Sequence, residues 1–150
     1  MSTLFNQLVD FYETIQWPME QVPNETIIST TYGGKNGQWV FVASTDEPNG
    51  IVILFARAPK VCPPDKFMVM SEFLERVNFG MTHGAWVMDR SDGEIRYRVG
   101  VDMGTMPLTH TYLRSLTHYT NLTMAHYLPA LQLIIQDGGS AQDAYAIVFP

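Results

Sequence analysis

Apolar residues recur at helical spacing from the start of the chain. Leu4, Phe5, Leu8, Tyr12 and Ile15 fall on one side and Asn6, Gln7, Asp10 and Glu13 on the other, which predicts an amphipathic helix. Ser2 or Thr3 is placed to cap it, and Trp17-Pro18 is expected to end it, because proline disfavours the helical conformation of the residue before it. A polar connector runs to about residue 25. Three β-rich runs follow at 26–32, 38–44 and 50–56, separated by glycine-bearing stretches at 33–37 and 46–50. Such short connections predict an antiparallel meander. The third run, Ile51-Val-Ile-Leu-Phe55, is apolar at every position, so it is expected in the sheet interior. A proline-stiffened crossing at 57–64 leads into a second helix with Pro64 in its first turn. Phe67, Met70, Leu74 and Val77 share one face of that helix, Glu72, Glu75 and Arg76 lie opposite, and Gly80 stops it.

The stretch 84–102 predicts a hairpin. With Asp92-Gly93 as a two-residue turn, Ser91 faces Glu94 and Asp89 faces Arg96, while Trp86, Met88, Ile95, Tyr97 and Val99 gather on a core face. A slip of one residue would bury Arg96 and Arg98 unpaired, at a cost of several kcal/mol. A third helix opens near Thr109, runs to Gln136 and ends at Gly138-Gly139. The predicted order is α-β-β-β-α-β-β-α, in one α+β domain over residues 1–150, with a twisted antiparallel sheet packed against helices. The sequence contains 150 residues, enough to bury about two-thirds of the unfolded surface around one core.

The third helix carries more apolar surface than a core stripe requires. Leu113, Leu116, Met124, Tyr127, Leu131 and Ile134 make that stripe, and Tyr119, Leu122, His126 and Leu133 form a second, offset one. A helix apolar on two sides lies between layers or at an interface; a single broad core stripe, blurred after Pro129, is the competing account. Pro129 removes an N–H and clashes with the Ala125 carbonyl, so a kink is expected there. Met68 lies off the core face of the second helix. These five residues, Met68, Tyr119, Leu122, His126 and Leu133, are the expected partner or dimer contacts.

Candidate chemistry is sparse. The net charge is −6 from nine basic and fifteen acidic side chains, and the basic residues form no stripe along the sequence that would neutralise consecutive phosphates, so nucleic acid is not expected as a partner. The N-terminal segment lacks a basic region and meets Asp10 before any long apolar run, which argues against a leader or a spanning helix. A soluble cytoplasmic protein without membrane contact is therefore expected. The single cysteine, Cys62, reads as an inert thiol. His110, His118 and His126 are spaced eight residues apart, which turns each about 80° from the last, so they do not converge on a metal. Asp89, Asp92 and Glu94 surround a turn tip where nothing would desolvate them. Gly33-Gly34 precedes a strand and is a turn, not an anion cradle. No cofactor, metal site or catalytic residue is expected, and the protein reads as nonenzymatic. The alternative is a small-molecule or enzymatic pocket enclosed between sheet and helices.

Three segments, Phe73-Leu-Glu-Arg-Val-Asn-Phe-Gly80, the Asp-Gly-Glu-Ile-Arg-Tyr-Arg hairpin and Met124-Ala-His-Tyr-Leu-Pro-Ala-Leu131, together with the order of elements, resemble the YbjN family of proposed bacterial sensory-transduction regulators and related cyanobacterial proteins. The resemblance spans residues 4–136. It implies the type III secretion chaperone-like fold, a cytoplasmic binding or regulatory role, a homodimer and a protein or peptide partner, and it carries over no catalytic residue.

Overall fold

The structure, a computed structural model, describes residues 3–150. Its elements in chain order are α1 (Leu4–Thr14), β1 (Glu20–Gln21), β2 (Ile27–Gly34), β3 (Gly37–Asp46), β4 (Ile51–Arg57), α2 (Phe67–Gly80), β5 (Ala85–Met88), β6 (Ile95–Asp102), α3 (His110–Asp137) and α4 (Ala141–Val148). A 3₁₀ turn over Pro64–Lys66 precedes α2. The fold is α+β, and the expected order of elements holds, with two additions: the two-residue β1 and the C-terminal α4. The six strands form one sheet in the order β1-β2-β3-β4-β6-β5, antiparallel at every pairing.

The meander β2-β3-β4 follows the predicted runs, and β4 lies inside the sheet between β3 and β6. Its uniformly apolar sequence nonetheless divides by face. Val52, Leu54 and Ala56 are buried under the helices, whereas Ile51, Ile53 and Phe55 are half-buried on the opposite face. Packing against α1 and α3 covers the first face, where Trp39, Phe41, Leu54, Tyr97 and Val99 meet Leu8, Phe11, Leu113, Met124 and Leu131 in one core.

The ends of α1 and α3 show how side chains settle the helix boundaries. Thr3 caps α1 by accepting from the Asn6 N–H at 3.0 Å. The Glu47 carboxylate, from the β3–β4 turn, accepts from the Phe5 N–H at 2.7 Å and suits the positive end of the helix. The exit lies three residues before the predicted Trp17-Pro18 stop. Gln16 takes φ +61°, and the Gln16 and Trp17 N–H groups donate back to the Glu13 and Tyr12 carbonyls, a Schellman closure. In α3, Thr109 caps the start and Gly138 in the left-handed region ends it. Pro129 sits inside this continuous helix, and the Ala125 carbonyl that it deprives of an N–H instead accepts from Asn36 Nδ2 at 2.9 Å, across from the β2–β3 turn.

The β5–β6 hairpin corrects one expectation. Met88 pairs with Ile95 and Trp86 with Tyr97, so the connection is not the two-residue turn at Asp92-Gly93 but a wider loop closed by the Asp89 N–H donating to the Glu94 carbonyl at 2.9 Å. Local side-chain bonding widens it. Asp89 Oδ1 accepts from the Ser91 N–H and hydroxyl, and Asp92 Oδ1 accepts from the Glu94 N–H, which are Asx-type bonds that compete with the ladder. Because the slip is two residues, the faces are unchanged. Trp86, Ile95, Tyr97 and Val99 are buried, Met88 is half-buried, Arg98 is exposed and Arg96 half-exposed on the opposite face. Gly93 is required by a neighbour as well as by its φ of +81°, since an added Cβ would lie 2.1 Å from the Cys62 carbonyl oxygen.

Candidate functional site

Helix α2 turns Met70, Phe73, Leu74 and Val77 to the core. Phe79, two residues beyond Val77, lies about 200° round the helix and is 96% exposed. A groove of ≈ 570 Å³ runs on one side of it, between α2 and α4, lined by Glu72, Glu75, Arg76, Phe79 and Tyr145. A second groove, of ≈ 500 Å³, runs between α2 and β5, where Leu74, Trp86 and Met88 supply the apolar wall and Arg90 the rim. Strand β5 is the edge of the sheet, and its outward groups at Trp86 are closed by α2 itself: the Trp86 N–H donates to Asn78 Oδ1 and Asn78 Nδ2 donates to the Trp86 carbonyl, each at 2.8 Å. The Trp86 indole N–H is buried with no hydrogen-bond partner among the described residues.

Aromatic side chains run from this groove across α4 and α3, with the buried Tyr127 among them and exposed residues on either side. Tyr145 stacks near Phe149 with centroids 4.7 Å apart, Phe149 meets Tyr127 at 6.3 Å, and Tyr127 meets His126 at 5.6 Å. Leu122, one helical turn before His126, is 57% exposed. Tyr119 stands three residues earlier, 38% exposed, with its ring 4.8 Å from that of His83, which follows Phe79 by four residues. The path therefore closes from Phe79 through α4 and α3 back to the end of α2.

This surface unites three of the five predicted contact residues. Tyr119 and Leu122 are on it, and His126 borders it with its Nε2 3.2 Å from the Val148 carbonyl. Leu133 is half-buried against the core and underlies Gly139, whose added Cβ would lie 2.5 Å from it. Met68 is exposed but sits at the opposite end of α2, about 16 Å from Phe79 along the axis. Three contributors escaped the sequence reading. Phe79 directly precedes the Gly80 stop, and Tyr145 and Phe149 lie in the tail beyond Gly138-Gly139, where the sequence predicts no element. The signal for the tail was present: Ser140-x-x-Asp143 forms a capping box, and Ala141, Ala144 and Val148 repeat at the spacing of a buried helical face.

Two tyrosines near this end are held neutral by burial. Burial pushes the Tyr127 hydroxyl up to about 12, with the neighbouring Tyr119 and Tyr145 adding to the effect. Burial raises Tyr97 as well, and its hydroxyl donates to the His83 carbonyl at 2.6 Å. Cys62 is raised by burial and by Asp65. Asp89 is lowered by the Ser91 hydroxyl and N–H, the reverse of what a general acid needs. No group of three or more His, Cys, Asp or Glu side chains among the described residues is placed to hold a metal ion. A cavity of ≈ 220 Å³ lies between α1, α3 and β2, with Phe11, Trp17 and Tyr32 as walls and Arg114 and His118 among its lining. No described helix is long and apolar enough to cross a membrane.

Superposition on solved structures places the chain in a known class, the type III secretion chaperone-like fold shared with YbjN. YbjN from E. coli, a proposed transcription regulator, superposes with a TM-score of 0.64 at 7% identity over 83% of this chain and 89% of that one. The chain in the ExsC-ExsE complex gives 0.58 at 15% identity over 83% and 92%. The chain in the HopA1-SchA chaperone-effector complex gives 0.55 at 12% identity over 81% and 91%. The sequence matches no protein-family model, and no curated protein matches it.

Proposed function

We propose that the protein is a nonenzymatic, cytoplasmic binding or regulatory protein that acts as a homodimer and engages a segment of a partner protein. The observation that carries this reading is the apolar surface at the C-terminal end of α2, where a nearly fully exposed Phe79 stands between two grooves. A knob and a groove side by side on one surface are self-complementary under a two-fold axis, because the Phe79 of each copy enters the groove beside α2 of the other. Aromatic residues of this kind dominate the energetics of protein interfaces when enclosed. The fold's occurrence in a chaperone-effector complex supports a protein as the further partner.

The test is the mass in solution. Light scattering at micromolar concentration should give a dimer, and Phe79→Glu and Leu122→Glu should each shift it to a monomer with an unchanged circular dichroism spectrum. A monomeric unmodified protein would overturn the homodimer. Unfolding by Leu122→Glu would return the second stripe of α3 to the core.

A further inference from the structure

The face of the sheet turned away from the helices carries a charge pattern that the surface at α2 does not use. Arg57 on β4 and Arg96 on β6 are direct cross-strand partners, about 5 Å apart at their Cα atoms. Arg98 follows two residues on, about 7 Å along β6, opposite Phe55. Like charges placed directly opposite in a sheet are unfavourable. Among the described residues one carboxylate makes ion pairs with this group: Glu94 pairs with Arg57 at 3.6 Å and with Arg96, and Asp89 acts on Arg96 from farther off. Arg98 has no ion pair among the described residues and is exposed. Three of the nine basic residues of a chain with net charge −6 are thus gathered on one patch.

The rest of the face completes a pattern. Next to the arginines come Phe55, held under the Arg96 guanidinium at 4.2 Å, then Ile53 and Val42, all on the same side of the sheet by alternation. Beyond them, Ile51 lies between Asp46 and Asp102. Along about 20 Å of β4 the face therefore reads basic, apolar, acidic, with no element of the described chain packed over it. Guanidinium groups bind carboxylates in a paired, directional geometry, and an extended segment presents alternate side chains to one side.

We propose that this face docks an extended segment of a partner protein that bears carboxylates at one end followed, at every second residue, by large apolar side chains. The carboxylates are taken by Arg57, Arg96 and Arg98, and the apolar side chains lie on the half-buried Phe55 and Ile53, with Val42 buried beside them. The inference rests on the reading of the chain as a protein-binding module and names the chemistry of what it binds.

The probe is the capped peptide Glu-Ser-Glu-Ser-Leu-Ser-Leu-Ser-Lys, titrated into isotope-labelled full chain and followed by amide chemical shifts. Shifts are expected along β4 and β6, with at least tenfold weaker binding for the counterpart in which both glutamates are glutamine. Arg98→Glu should weaken the acidic peptide at least tenfold and leave the glutamine peptide unchanged. Equal binding of the two peptides, shifts confined to α2 and α4, or no binding at millimolar peptide would each overturn the proposal. The same follows if vesicles of phosphatidylserine and phosphatidylcholine, but not the peptide, bind in an Arg98-dependent way, since the face would then be a membrane site. A change in solution mass on Arg98→Glu would assign it to a second copy instead. The dimer measured through Phe79 and Leu122 is read separately, so failure here leaves the binding-module reading standing or falling on its own test.

Discussion

At the scale of single residues, polar side chains settle where the backbone and the buried aromatics find their partners. Asn36 is the clearest case. Pro129 leaves the Ala125 carbonyl without its helical donor, and the Asn36 amide takes that place at 2.9 Å. Asn36 is exposed and lies at φ +76°, so Asn36→Gly removes the amide without backbone strain and should lower stability to urea by about 0.5–1.5 kcal/mol. In a Pro129→Ala background the helix supplies its own N–H, and the same substitution should then cost much less. A double-mutant cycle by urea unfolding measures the difference; additive effects would show that the contact is incidental. Asn121 serves a side chain instead, deep in the core, accepting from the Trp39 indole N–H at 2.9 Å while donating to the Thr117 carbonyl. Tyr12 and Thr117 are joined at 2.8 Å. These bonds explain why α3 buries polar residues on the side facing the sheet.

At the scale of elements, the periodic signals were legible and the local bonding signals were not. The helical stripe of Leu113 to Ile134, the meander and the inward set Trp86, Tyr97 and Val99 followed from spacing alone, because burial rewards period and parity. The hairpin loop did not follow, since Asp89 and Asp92 fold back on the backbone and widen it without disturbing which face is buried. The second stripe on α3 divides at its C-terminal end: Leu133 packs beneath the α3–α4 link, while Tyr119, Leu122 and His126 stay exposed. Distant placement of Phe79 beside Tyr145 depends on how α2 and α4 pack, which no local pattern encodes. Asn78 shows the same limit, as a polar residue on a helix whose partner is the edge of a sheet. Asn78→Ala removes both bonds to Trp86 and should cost about 1–3 kcal/mol, seen as a lower urea midpoint. It also opens an edge strand that other chains can pair with, so light scattering should rise on mild heating before the global transition.

At the scale of the whole molecule, one sheet separates two unlike surfaces. Its inner face is apolar and roofed by helices, and its outer face carries charge sorted by position. The net charge conceals this sorting, because an overall −6 says nothing about three arginines placed side by side. The roof itself is unevenly distributed along the chain. Leu113, Leu116, Met124, Tyr127, Leu128, Leu131 and Ile134, all buried, belong to α3. Burying seven such side chains is worth about 10–20 kcal/mol as an upper estimate, comparable to the entire net stability of about 5–15 kcal/mol of an ordinary domain. During synthesis on the ribosome, therefore, every strand emerges before most of its cover exists, and the nascent sheet presents Trp39, Phe41 and Leu54 to solvent until α3 has cleared the exit tunnel. Chains arrested at Met106 should accordingly partition into the insoluble fraction or remain bound to holding chaperones, and release to the soluble fraction should begin only once arrest is moved past α3 by the length of the tunnel.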